Sequence, residues 1–243
     1  MVKLFKRKQK EEERIFCTAV VPAAGSSTRM GGINKIFAEL DGIPVLIRTL
    51  MALESCEDIR EIIVVTRDTD IPMAASLCKE YGIEKVTKIV CGGAVRAESV
   101  YNGVREASPE ARLIAVHDGA RPFITPALVG GVIKAAAKYN AAAPGVRVKD
   151  TVKVVKNGRV IDTPNRDTLY AIQTPQIFDA DLLKGALTNA VNKALPITDD
   201  CMAVEAVGAE VRIVQGSYDN IKITTPEDIY TGMAILAAGK EKV

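Results

Sequence analysis

The sequence predicts an α/β fold, a mostly parallel sheet with helices on both faces. Three observations carry the prediction. Short, almost continuously apolar runs alternate with segments of helical period, the pattern of strands buried on both faces by crossover helices. A glycine-rich loop follows the first of those runs, and open α/β sheets bind ligands beyond the carboxyl ends of their strands. One segment departs from the rhythm, alternating at period two around Asn157-Gly158, a strong hairpin signal. Together they describe a Rossmann-like sheet with an added β-hairpin.

The chain has 243 residues, 48% of them hydrophobic and none Trp, enough for one α/β domain with a substantial core. Residues 1–14 collect Lys3, Lys6, Arg7, Lys8 and Lys10 before Glu11, Glu12 and Glu13. That stretch reads as a basic, solvated and disordered tail. Residues 15–243 are expected to form the single domain, with the hairpin segment at about 147–168. A formal net charge of +2 gives no reason to expect nucleic acid as a partner. No run approaches the roughly 20 apolar residues of a membrane span. The run Ile15–Val21 is too short for a signal-peptide core, so a cytoplasmic protein without a membrane partner is expected. Five cysteines are scattered, without a C-x-x-C pair and with a single His. Neither a zinc site nor a disulfide framework follows, and reduced, partly buried thiols are expected.

Strands are predicted at Phe16–Val21, Glu61–Thr66, Val86–Val90 and Leu113–His117, with helices near Val45–Ser55, Pro72–Tyr81 and Val95–Glu106. Thr125 is placed to cap a further helix, with Pro126 at its first position. That helix puts Leu128, Val129, Val132, Ile133 and Ala136 on one face and Lys134 and Lys138 on the other. The alternating segment Thr151–Thr163 cannot stand alone, because an isolated hairpin is marginal in water. It either lies at the edge of the parent sheet or reaches a second subunit. The pattern leaves both open.

Five clusters carry chemistry, and the first follows the first strand. Pro22-Ala23-Ala24-Gly25 leads through Arg29 to Asn34 and Lys35. Small residues let the backbone approach a ligand, successive N–H groups can form an anion-binding concavity, and Arg29 and Lys35 add positive charge. The spacing is neither that of a dinucleotide fingerprint nor that of a Walker loop. The second cluster is Cys91-Gly92-Gly93, followed by Arg96 and Ser99. The third is His117-Asp118-Gly119-Ala120-Arg121-Pro122, where a carboxylate at a strand's carboxyl end is a suitable Mg²⁺ ligand. His117 reads as structural rather than as a base. The fourth runs from Arg166 to Gln173-Thr174-Pro175-Gln176. The fifth is Tyr218–Asp228, expected as a short strand and then a helix capped by Thr225. Glu227 and Asp228 belong to that helix start. Asp199 and Asp200 could form a paired-carboxylate site, but a helix start explains them equally well, and they are left outside the site.

These motifs, in this order, resemble the polyol-phosphate cytidylyltransferases over all but the basic tail. Pro22 to Lys35 resembles their P-A-A-G-x-x-x-R-M…K loop, with Asn34 where proline is common; the change affects loop stiffness and leaves the Lys35 charge in place. The His117–Pro122 run resembles the members that act on 2-C-methyl-D-erythritol 4-phosphate more than those that act on ribitol 5-phosphate. The resemblance implies transfer of CTP to that polyol phosphate with release of pyrophosphate, aided by Mg²⁺ on Asp118. It implies nucleotide contacts from Ala23, Ala24, Gly25, Gly93, Ser99 and Asp118, with Arg96 a weaker assignment. Catalytic roles fall to Arg29, Lys35, Lys222 and Arg166, and acceptor contacts to Thr151, Arg166, Thr174, Arg121 and Lys222. It also implies that the hairpin is a projecting arm, in a homodimer where the arm sends Thr151 and Arg166 into the neighbour's site.

Overall fold

The computed structural model describes residues 15–25 and 35–240. The basic tail, Arg29 and Asn34 lie outside the described residues. Strand β1 (Cys17–Pro22) is followed by the short β2 (Glu39–Leu40) and β3 (Ile43–Pro44), then helix α1 (Val45–Glu54). Next come β4 (Ile59–Thr66), α2 (Ile71–Glu80), β5 (Val86–Cys91), α3 (Arg96–Arg105) and β6 (Leu113–Val116). Helix α4 (Pro126–Tyr139) leads into β7 (Ala141–Arg147), then the arm strands β8 (Val154–Lys156) and β9 (Arg159–Asp162). The chain returns through β10 (Tyr170–Ile172) and β11 (Gln176–Asp179) to α5 (Ala180–Asn192), α6 (Asp200–Glu205), β12 (Arg212–Gln215) and α7 (Pro226–Lys240).

The main sheet runs β10-β7-β11-β6-β1-β4-β5, and β12 pairs with β7. The half containing β6, β1, β4 and β5 is entirely parallel. The other half is mixed, because β11 runs antiparallel to both β6 and β7 and β10 antiparallel to β7, while β12 is parallel to β7. The predicted α/β class therefore holds, with antiparallel strands entering after the arm. The alternation of side chains along each strand divides the core between the two faces. Cys17, Ala19 and Val21 of β1 pack with Leu46, Leu50, Val129 and Val132 of α1 and α4. Val20 faces the other way, among Val100 and Val104 of α3 and Leu183 and Leu187 of α5. A smaller cluster of Leu40, Val45, Ala120 and Ile223 carries helix α7.

Several local expectations are met by specific contacts. Thr125 caps α4 by accepting from the Leu128 N–H, and Val129, Val132, Ile133 and Ala136 form its buried face. Asn157 and Gly158 have φ of 50° and 73°, the left-handed pair that a two-residue hairpin turn needs. Cys17, Cys56, Cys78 and Cys201 are buried thiols, while Cys91 is exposed. One alternative is removed and one expectation is corrected. The hairpin is not an edge of the parent sheet: among the described residues β8 and β9 pair only with each other, in a separate two-stranded sheet. Residues 218–225 contain no strand. They lie as a loop beside the β6 end, tied by the Ile223 N–H to the Ala120 carbonyl, because Ile221 and Ile223 pack into the small cluster under α7.

Candidate active site

The parallel strands end together, and the loops beyond β1, β5 and β6 enclose a cleft of about 360 Å³, within the range of small-molecule sites. Ala23, Ala24 and Gly25 form one wall, Gly93 to Arg96 and Ser99 a second, and Asp118 to Ala120 a third, with Lys35 and Lys222 at the rim. The loop after β5 needs its two glycines for steric reasons. A Cβ on Gly92 would stand 2.9 Å from the Ala24 Cβ, and one on Gly93 would overlap the Glu98 Cβ, so neither glycine can carry a side chain without displacing a neighbour. The loop is held by Ser99, whose hydroxyl accepts the Gly93 N–H at 3.1 Å and donates to the Val95 carbonyl at 3.1 Å. The Ala94 N–H donates to Glu98 Oε2 at 2.7 Å. Ser99 thus shapes the backbone that faces the cleft.

Asp118 is the electrostatic centre. Its Oδ1 lies 3.1 Å from Arg96 Nη1, and its Oδ2 lies 2.9 Å from Lys222 Nζ and 3.4 Å from Arg121 Nε. Burial opposes ionisation of this carboxyl, but Arg96, Lys222 and Arg121 outweigh it and hold its pKa far below the ordinary carboxylate range. Arg121 is turned toward the protein, donating from Nη1 to the Asn220 carbonyl at 2.7 Å, and does not line the cleft. Burial lowers its pKa, while Asp118 opposes that shift.

Behind Asp118 lies a closed hydrogen-bond chain. The Thr174 hydroxyl accepts the Asp118 N–H at 3.0 Å and lies 3.0 Å from His117 Nδ1, while His117 Nε2 lies 3.1 Å from the Arg121 carbonyl. The carbonyl can only accept, so Nε2 carries the proton, Nδ1 accepts, and Thr174 donates to it. Burial pushes the His117 pKa down to about 4, which keeps the ring neutral. His117 is structural, as its sequence context suggested. Thr174, expected to touch the acceptor, is buried with its hydroxyl committed to this chain. It follows Gln173 and precedes Pro175 through a cis peptide bond.

The expected residues thus separate into groups. Ala23, Ala24, Gly25, Lys35, Gly93, Ser99, Asp118 and Lys222 meet in the cleft. Arg121 and Thr174 support Asp118 from behind. Thr151 and Arg166 are exposed on the arm, outside the cleft lining, with Arg166 Nη1 donating to the Lys149 carbonyl at 3.0 Å. Two members of the charge network carried too weak a signal in the sequence. Arg96 lines the cleft and bridges Asp118 to Asp200, the second carboxylate lying 2.7 Å from its Nη2. Asp199 does cap α6, accepting from the Met202 N–H, and Asp200 does open its first turn, but the Asp200 carboxylate is also fully buried against Arg96. The adjacent acids Asp199-Asp200 were the available signal. Which of the two turns inward depends on how α6 packs.

Among the described residues no group of three or more His, Cys, Asp or Glu side chains could hold a metal, and Asp118 is the one carboxylate in the cleft lining. A lone hard oxygen donor fits a cation such as Mg²⁺, which keeps several waters and takes further ligands from substrate phosphates.

Comparison with known proteins agrees with this geometry. The model of the family described as 2-C-methyl-D-erythritol 4-phosphate cytidylyltransferase matches residues 17–238. A curated protein of that name from Bacillus cereus is 43% identical over 225 residues, covering 92% of this chain and 99% of the relative. One from Caldanaerobacter subterraneus subsp. tengcongensis is 45% identical over 219 residues, covering 87% and 95%. The crystal structure of 4-diphosphocytidyl-2C-methyl-D-erythritol synthase from Anaerococcus prevotii superposes with a TM-score of 0.82 at 34% identity, covering 93% of this chain and 97% of that one. The cytidylyltransferase of Thermus thermophilus gives a TM-score of 0.75 at 31% identity, covering 90% and 98%. With the cleft, its glycine loops and the cations around Asp118 in place, this chain belongs to the 2-C-methyl-D-erythritol 4-phosphate cytidylyltransferase family.

Proposed function

We propose that the protein joins CTP to 2-C-methyl-D-erythritol 4-phosphate, giving 4-diphosphocytidyl-2-C-methyl-D-erythritol and pyrophosphate, a step in making isoprenoid precursors. The observation that carries this reading is a cleft with Lys35, Arg96 and Lys222 around one ionised carboxylate, between two backbone walls, in a chain of this family. An oxygen of the polyol phosphate forms a bond to the α-phosphorus of CTP, and the bond from that phosphorus to the bridging oxygen of the leaving pyrophosphate breaks. The attacking group is already anionic near neutral pH, so no base is required. The protein's work is to hold two polyanions in line and offset their charge.

Gly93 and the Ala23–Gly25 wall take the nucleotide, with Ser99 holding the second loop in shape. Lys35 and Arg29 offset the charge of the leaving phosphates, and Lys222 holds the attacking one through a charge-assisted bond. Asp118 would be the protein ligand of a divalent cation, which would supply Lewis-acid polarisation when bound. Residues 15–243 act as one cytidylyltransferase domain in the cytoplasm, with no nucleic-acid or membrane partner. The protein works as a homodimer whose arm, about 147–168, brings Thr151 and Arg166 to the partner's acceptor pocket; Arg121 and Thr174 serve that pocket through Asp118. In support of the arm, its strands are exposed throughout and carry the apolar side chains Val154, Val155, Val160 and Ile161.

Following pyrophosphate release from CTP and Mg²⁺, with 2-C-methyl-D-erythritol 4-phosphate and ribitol 5-phosphate in parallel, tests the reading. Release with the erythritol derivative alone is expected, and release with ribitol phosphate alone overturns the acceptor. Removing divalent cations with EDTA should abolish release yet shift Tm by less than about 2 °C, because no protein cage depends on the ion.

A further inference from the structure

Asp200 lies outside the cleft, and nothing in the proposed reaction requires it. It is nonetheless fully buried, a costly place for a carboxylate unless it is paired. One ion pair is present, from its Oδ2 to Arg96 Nη2 at 2.7 Å. Among the described residues neither its Oδ1 nor the Nε of Arg96, both buried, has a hydrogen-bond partner. These two orphans belong to the same pair: Nε and Nη2 can engage a carboxylate side by side as a two-bond fork, and only half of that fork is made. The guanidinium instead spends Nη1 on Asp118 Oδ1 at 3.1 Å. Arg96 therefore bridges two carboxylates with one bond each. The backbone that carries Asp200 is held in place. Its N–H and that of Cys201 donate to Gln176 Oε1 at 2.9 and 3.0 Å, and Gln176 Nε2 donates to Asp199 at 2.8 Å. The Arg96 side chain is 27% exposed against 1% for Asp200, so the guanidinium is the piece with room to move.

We propose that Asp200 is a positioning residue for nucleotidyl transfer, acting through Arg96 to set how Asp118 is presented to the cleft. In the bridging arrangement Arg96 occupies Asp118 Oδ1. Completing the fork on Asp200 satisfies both orphan atoms and releases that oxygen, so Asp200 is the seat to which Arg96 withdraws when a ligand engages Asp118. Without this second anion Arg96 has one carboxylate partner and stays on Asp118, or turns toward the phosphates it should leave aligned. The inference rests on the cytidylyltransferase reading.

The test is a cycle of Asp200→Asn and Arg96→Lys, with kcat, KM for CTP and Tm measured for each protein. Asn is isosteric but cannot form the charged fork, and Lys cannot span two carboxylates. Asp200→Asn should lower kcat by about thirtyfold with KM changed less than about threefold, and should cost less than about threefold more in the Arg96→Lys background. The same loss in both backgrounds, or full kcat with only a lowered Tm, overturns the proposal. If Asp200→Asn does not fold, Asp200→Glu is measured instead. It should keep at least about a third of wild-type kcat, because the charged fork survives; a loss as large as that of Arg96→Lys overturns the proposal. An inactive wild-type protein would refute the reaction itself, whereas an active wild type with an indifferent Asp200→Asn refutes only this role.

Discussion

The Asp118 cluster and the β8–β9 arm are both polar, charge-bearing regions of one chain, yet they are built in opposite ways. Asp118 is 6% exposed and held by Arg96, Arg121, Lys222 and the Thr174 hydroxyl. Arg96 opens helix α3, Arg121 and Lys222 sit on loops, and Thr174 lies between β10 and β11. The arm has seven strand residues, all exposed, and among the described residues no further strand pairs with them. The first region is pre-organised: fixed dipoles and charges are worth most where water is excluded and reorganisation is small. The second has the character of a surface awaiting a partner, since an isolated two-stranded hairpin is marginal in water. Substitutions in the cluster should therefore affect catalysis and stability together, and substitutions in the arm should affect function with little effect on the stability of the subunit.

The largest expected effect is at the centre. Asp118→Ala leaves Arg96, Arg121 and Lys222 without their common counter-charge. Turnover should fall by about a thousandfold and unfolding free energy by about 3–5 kcal/mol, read from pyrophosphate release and denaturant melts. A stable, half-active variant would show that the cluster is not pre-organised. At the rim, Lys35→Ala should lower kcat by about a hundredfold with Tm within about 2 °C of wild type. Equal losses of both would make Lys35 structural instead. On the arm, Arg166→Ala should raise KM for the polyol phosphate by about tenfold with Tm unchanged, and Val160→Asp should convert dimer to monomer in sedimentation. A fully active monomer would remove the arm from the site.

The most gradual effect is a pH slope in stability. An unfolded imidazole titrates near 6.5, whereas burial holds His117 down to about 4. Between those values the unfolded chain binds the extra proton, so stability is present above about pH 6.5 and lost as pH falls toward 4. The loss amounts to about 3 kcal/mol. His117→Asn should flatten the fall of Tm between those pH values. The depressed Asp118 pKa acts in the same direction at lower pH, its contribution intact above the ordinary carboxylate range and lost on further acidification.

Much of the scaffold was legible because it depends on local rules. The parallel strands β1, β4, β5 and β6, the Thr125 cap of α4 and the Asn157-Gly158 turn each follow from a short stretch of sequence whose periodicity or backbone preference points one way. Less legible was the half of the sheet after the arm. Strand β7 reads Ala141-Ala142-Ala143-Pro144-Gly145, small residues with weak strand propensity that are paired only because β11, β10 and β12 lie against them. The loop at 218–225 has the β-rich run Ile221-Lys222-Ile223, but packing under α7 takes its isoleucines and leaves it unpaired. Of the residues that line the cleft, Lys35, Gly93, Asp118 and Lys222 were readable from motif order. Asp200 was not, because a helix start and a buried counter-ion look alike in one dimension.

By itself the sequence determined the fold class, the order of the ligand-binding loops and the residues with the chemistry to handle phosphates, since each rests on neighbours within a few positions along the chain. Only the tertiary structure decided that Arg96 stands between Asp118 and Asp200, separated from them by 22 and 104 residues, and that Thr174 serves His117 and Asp118 from behind. Charge interactions depend on distance and dielectric environment, and neither exists until strands β6 and β11 and helices α3 and α6 have packed together.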